Sequence, residues 1–171
     1  MHTFQPYPMN MLEWNPWDKI SKETFALTTE LDGKANAMTA GWGGIGYLWG
    51  KNVAFVFVRD SRYTKEIMDA TDNFSCCFLD PQDRSTKGTL KVLGSVSGRN
   101  EDKIAECRLN VNHSMHIPFL DESNFVILCK KMAAVPIAEE HMLMDEIGER
   151  WYPDGDYHTM YVGEIVDILA R

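Results

Sequence analysis

Apolar and polar residues alternate from Thr24 to Leu31, the period of a strand that buries one face, and the alternation stops at Asp32-Gly33, a dipeptide suited to tight hairpins. A second strand is therefore predicted over 34–40. From Val53 to Val58 the chain reads V-A-F-V-F-V. Such a run predicts a strand covered on both faces, one by a core and the other by a helix or a second subunit. Further strands are predicted over 74–79, 125–135 and 158–169, where β-branched and aromatic residues lie between turn signals. Short helices fit at 64–72, 85–93 and 101–107, with a fourth at 138–147. They are too few and too irregularly placed to alternate with the strands of a parallel sheet. The expected fold is mainly β: an antiparallel barrel with a few flanking short helices. Residues 1–23, rich in Pro, Asn, Trp and Met and without periodicity, read as an N-terminal arm packed across a surface. No repeat or polar linker divides the chain, so residues 1–171 are expected to form one domain.

Composition narrows the partners. The chain has 171 residues, 44% of them hydrophobic, enough for one good core. A net charge of -8 and a pI near 5.1 disfavour nucleic acid and anionic membranes, which would be repelled at long range. There is no basic segment followed by an apolar signal core, and no apolar run approaches the ~18 residues of a membrane span. A cytoplasmic protein is expected. Cys76, Cys77, Cys107 and Cys129 lack the spacing of a zinc site or disulfide framework and read as buried small hydrophobes. On a strand, the adjacent Cys76 and Cys77 point to opposite faces. His113 and His116 fall in a stretch read as irregular loop with too few partners for a metal, so none is expected.

Three segments carry candidate chemistry. Gly41 to Gly46 spell G-x-G-x-x-G, the letters of a dinucleotide fingerprint. That motif needs a helix starting on its glycines, yet only Tyr47, Leu48 and Trp49 separate Gly46 from Gly50. The dinucleotide reading is rejected. Clustered glycines also let a flat ligand lie against the main chain, or they form a barrel corner. Asn36, Met38 and Thr39 precede them. In the second segment, R-D-S-R-Y-T-K, Arg59, Arg62 and Lys65 outweigh Asp60 between a strand and a helix start. Thr64 is a candidate N-cap, and Ser61 adds a hydroxyl. Cations and hydroxyls at a helix start suit a phosphate dianion; the alternative is a solvated charged turn. The third segment pairs the small residues of Gly94 to Lys103 with His158, which opens the last strand as either a structural or a functional histidine. A flat ligand on backbone and a phosphate on a basic turn, in a mainly β chain without a dinucleotide unit, point to flavin mononucleotide (FMN).

The same residues resemble the flavin reductase-like family of FMN-binding split β-barrels, which includes flavoredoxin-type proteins. The likeness runs from about Trp14 to Leu169. It is most specific at Asn36-x-Met38-Thr39, Arg62-x-Thr64, Ser97-Gly98-Arg99 with Asp102-Lys103, and His158 with Gly163-Glu164. It implies an antiparallel, Greek-key-like split barrel, a homodimer, and FMN near the subunit interface. Asn36, Ala37, Met38, Thr39, Ala40, Gly41 and Trp42 would lie along the ring and ribityl chain. Arg59, Ser61, Arg62 and Thr64 would hold the phosphate. Ser95, Ser97, Gly98 and His158 would border the flavin or the pocket before it, with His158 as the catalytic candidate. Where many members carry D-P-P, this chain has Trp49-Gly50-Lys51-Asn52, so the resemblance does not fix the shape of the pocket or its substrate.

Hydride transfer to a flavin needs stacking and orientation rather than a nucleophile, which suits a chain without a catalytic triad. The leading expectation is an oxidoreductase passing hydride from NAD(P)H to FMN and on to a small-molecule flavin or other electron acceptor. The alternatives are an FMN-carrying electron-transfer protein reduced by a partner protein, and a barrel of the pyridoxamine-phosphate oxidase type, which would place more basic residues around its substrate.

Overall fold

A computed structural model describes all the residues, Met1–Arg171. Its strands are β1 (Gln5–Pro6), β2 (Phe25–Leu31), β3 (Lys34–Ala40), β4 (Gly43–Leu48), β5 (Lys51–Arg59), β6 (Asn73–Leu79), β7 (Val111–Ser114), β8 (Ile117–Leu120), β9 (Ser123–Pro136) and β10 (His158–Ala170). The α-helices are α1 (Tyr63–Ala70), α2 (Thr86–Ser95), α3 (Lys103–Glu106) and α4 (Asp145–Trp151). All strand pairs are antiparallel, and the main sheet runs β3-β2-β6-β9-β10-β5-β4.

That order forces closure. In a flat sheet β3 and β4 would stand about 29 Å apart, six spacings of roughly 4.8 Å. Yet only Gly41 and Trp42 join them, and the three Cα steps from Ala40 to Gly43 reach about 11 Å at most. The sheet therefore curls until its two edge strands meet, leaving a barrel split between β3 and β4. Phe25, Leu27, Val56, Phe74, Phe78 and Tyr161 fill its interior. The opposite face of β2, β3, β6 and β9 buries Ala26, Ala37, Cys77 and Leu128 against Leu93 of α2, Ile104 of α3 and Phe119 of β8. Cys76 and Cys77 do point to opposite faces, one into each core.

The fold departs from the sequence reading in five places. Gly43–Leu48 is a strand, and the stretch read as irregular loop is the β7–β8 hairpin. The helix expected at 138–147 splits into a 3-10 turn, Glu139–His141, and the later α4. β5 buries Ala54, Val56 and Val58 inward and Val53 outward, but Phe55 and Phe57 on that outer face stay partly exposed. In the arm, Trp14 packs on Phe78 and Phe125 of its own barrel, and a six-residue π-helix, Asp18–Glu23, leads into β2. No helix is long and apolar enough to cross a membrane.

Candidate functional site

At the split in the barrel lies an open cavity of about 330 Å³. It is lined by Ser21 of the π-helix, the segment Met38, Thr39, Ala40, Gly41 and Trp42, then Phe57 and Arg59 of β5, Arg62, and His158 of β10. β3 carries its chain end to the split, β5 and β10 pair His158 with Arg59, and the turn before α1 brings up Arg62. Eight expected residues thus meet in one place: Met38, Thr39, Ala40, Gly41, Trp42, Arg59, Arg62 and His158.

The others lie outside the lining. Asn36 is buried and donates from Nδ2 to Thr64 Oγ1 at 2.9 Å. Thr64 is therefore no N-cap: the capping position is Arg62, and Thr64 sits inside α1. Ala37 faces the second core. Ser61 donates through its N–H and its hydroxyl to the Asp156 carboxylate, at 3.0 and 2.7 Å. A carboxylate of the chain itself thus occupies the anion position expected on that turn. Ser95 donates to Lys91 O, the Ser97 hydroxyl accepts from the Arg99 N–H, and Gly98 packs under the Asn36 amide, where a Cβ would meet Oδ1 at 2.1 Å. The glycines of β4 are also reassigned. Gly43 has no room for a side chain because a Cβ there would lie 2.5 Å from the Phe55 carbonyl oxygen, and Gly46 lies against the Phe55 ring. Strand packing explains these two glycines, and Gly41 alone reaches the cavity wall.

Each cationic group is held in place. Arg59 donates to Asp156 O and Trp151 O at 2.7 and 3.0 Å, with its guanidinium over the Tyr152 ring. Arg62 donates to Gly94 O at 2.9 Å, while the buried Lys103 donates to Leu93 O at 3.1 Å. Both cations thus meet the carbonyl end of α2, the negative pole of its dipole. Burial, then the neighbouring Arg62, pulls the Lys103 pKa down to about 8.

His158 is 8% exposed, with its ring 4.8 Å from the Trp42 ring. Burial, followed by Arg59, lowers its pKa to about 4 against the opposing pull of Asp156 and Asp60, so the imidazole is neutral at pH 7. The Tyr152 hydroxyl lies 3.0 Å from Nδ1 and has no other partner. If Nδ1 carried the proton, the buried phenol O–H would lack an acceptor; the phenol therefore donates, and the imidazole proton sits on Nε2. Trp151 meets Trp42 edge-on at 5.0 Å. Sequence reading missed Ser21, Phe57, Tyr152 and Trp151. Phe57 was concealed in an apolar run, and the others lie in segments without periodicity.

No family model matches the chain, and no curated protein matches it. Solved structures do. Flavoredoxin from Methanosarcina acetivorans is similar at 20% identity and a TM-score of 0.68, over 87% of this chain and 68% of that one. Flavoredoxin of Desulfovibrio vulgaris (Miyazaki F) is similar at 24% identity and a TM-score of 0.65, over 86% and 69%. The FMN-binding protein from Thermus thermophilus, with bound 1-cyclohex-2-enone, shows 17% identity and a TM-score of 0.64 over 98% and 78%. These likenesses establish the fold. It is an antiparallel barrel shared with flavoredoxins and an FMN-binding protein.

Proposed function

We propose that the chain binds FMN at the barrel split and acts as an NAD(P)H-dependent oxidoreductase of the flavin reductase type, reducing a small or flavin acceptor. The observation that carries this reading is the cavity's mixed lining: the main chain of Met38 to Trp42, the rings of Trp42 and Phe57, two guanidinium groups, and a neutral imidazole, brought together from sequence-distant elements. That donor set fits a flat heteroaromatic ring with an anionic tail. FMN, when bound, supplies the hydride-accepting ring. Met38 to Trp42 and Phe57 pack the ring and exclude water. Arg62 and Arg59 hold the phosphate, while the Ser61 donors are engaged by the Asp156 carboxylate. His158 offers its Nε2 proton as a fixed donor.

The assembly is proposed to be a homodimer, for which the partly exposed Phe55 on the outer face of β5 is the support. A second reading, an electron carrier reduced by a partner protein, is favoured by Trp151, which is 41% exposed and touches Trp42 at the cavity rim.

Affinities for FMN and riboflavin test the cofactor. Arg62→Ala is expected to weaken FMN by about 1.5 to 3 kcal/mol, the range of a charge-assisted bond, and to leave riboflavin unchanged. Equal affinity of the parent protein for both flavins would overturn the assignment. Under anaerobic conditions, NADH or NADPH should bleach the bound flavin at roughly 1 to 1000 per second. Slow bleaching with both, alongside ready bleaching by dithionite, would favour the carrier.

A further inference from the structure

A second cleft, of about 450 Å³, opens beside the first and shares Ser21, Gly41 and Trp42 with it. Its chemistry is different. Where the first cavity holds two arginines, the second has no charged residue in its lining, which includes Trp17, Trp42, Ile20 and Ile45 with Gly43 and Gly44. An ion entering it would lose hydration without gaining a counter-charge, whereas a neutral ring would meet indole, aliphatic and peptide surfaces.

Trp17 is 77% exposed, yet its backbone is fixed. Its N–H donates to Asn15 Oδ1 at 3.0 Å, and its carbonyl accepts from the Ser21 hydroxyl at 2.5 Å. The turn that follows is π-helical, a form that recurs at functional sites. It ends at Thr24 with φ 60° and ψ 175°, a conformation that is essentially glycine's own. The Thr24 methyl lies next to Gly41, 3.3 Å from where a Cβ there would be. Strain of this kind persists only where the surroundings hold it, so the segment that places Trp17 and Ile20 at the cleft is set rather than loose.

We propose that this cleft is a binding site for a neutral, planar ring, held against Trp17 and Trp42 alongside the cavity assigned to the cofactor. The inference rests on the cleft's own lining and does not require flavin. Coumarin is a suitable probe, with coumarin-3-carboxylate as its charged counterpart. Titration of flavin-free protein should shift the indole N–H resonances of Trp17 and Trp42, identified by substitution. Trp17→Ala should weaken coumarin at least tenfold, Trp17→Phe should hold it within threefold, and the carboxylate should bind at least tenfold more weakly than coumarin. FMN affinity should change less than twofold in Trp17→Ala, whose thermal midpoint confirms folding. No coumarin binding, an unaltered affinity in Trp17→Ala, or one-for-one displacement of coumarin by FMN would overturn the cleft. Should FMN fail to bind while coumarin still depends on Trp17, the cleft stands and the cofactor reading falls.

Discussion

The state of His158 is set by its position: buried beside Arg59, it is more easily left neutral than charged. Its pKa of about 4 in the folded chain lies below the ordinary 6.5, so between these values the unfolded chain binds more protons than the folded one. Its contribution to stability is therefore complete above about pH 6.5 and is lost as the pH falls toward 4. Urea midpoints measured from pH 7 to 5, above most carboxylate titrations, should decline in the parent protein and decline less in His158→Gln. Equal slopes would show that His158 titrates normally. This residue was legible in the sequence as a candidate, but its tautomer was not. The hydrogen bond that fixes it comes from Tyr152, in a segment with no motif around it.

Among the elements, the hairpins show why some of the fold could be read and some could not. Asp32-Gly33 and Trp49-Gly50 both turn with two positive φ values, 52° and 75° in each case, as a type I′ hairpin requires. The first carries the favoured sequence and was read correctly; the second lay beside glycines that drew a ligand reading, so β4 went unseen. Between β7 and β8 the same positive pair falls on Met115 and His116, at 52° and 62°, where no glycine or asparagine signals it. Tertiary packing of Ile117 and Phe119 into the second core holds that turn instead. The end of α2 illustrates another illegible feature, since two cations far apart in sequence meet adjacent carbonyls. Lys103, with a folded pKa of about 8 against an ordinary 10.5, binds fewer protons folded than unfolded between these values. Stability should rise as the pH increases from about 8 to 10.5, and Lys103→Met should remove that rise. A rise of the same size in the variant would place its origin elsewhere.

For the whole molecule, strand periodicity gave the antiparallel class, while closure depended on the β3-to-β4 link of two residues, which becomes informative only once the strand order is known. The site is divided in the same way. Met38 to Trp42, Arg59, Arg62 and His158 meet at the split, whereas Ser61 was withdrawn by Asp156, 95 residues away. Dimerisation is the remaining property at this scale. The outer face of β5 presents Phe55, partly exposed beside the glycines of β4, and burying such a ring against a second copy would stabilise association. Each chain nevertheless carries a net charge of -8, so two copies repel one another until salt screens them. An apolar contact between like-charged subunits should therefore tighten as ionic strength rises from about 10 to 150 mM, over which the Debye length shrinks from roughly 30 to 8 Å. Sedimentation equilibrium should show this trend, and Phe55→Lys should yield a folded monomer at both salt concentrations. A monomeric parent protein at micromolar concentration would remove the dimer from the proposal, and weakening with added salt would require an interface built on ion pairs instead.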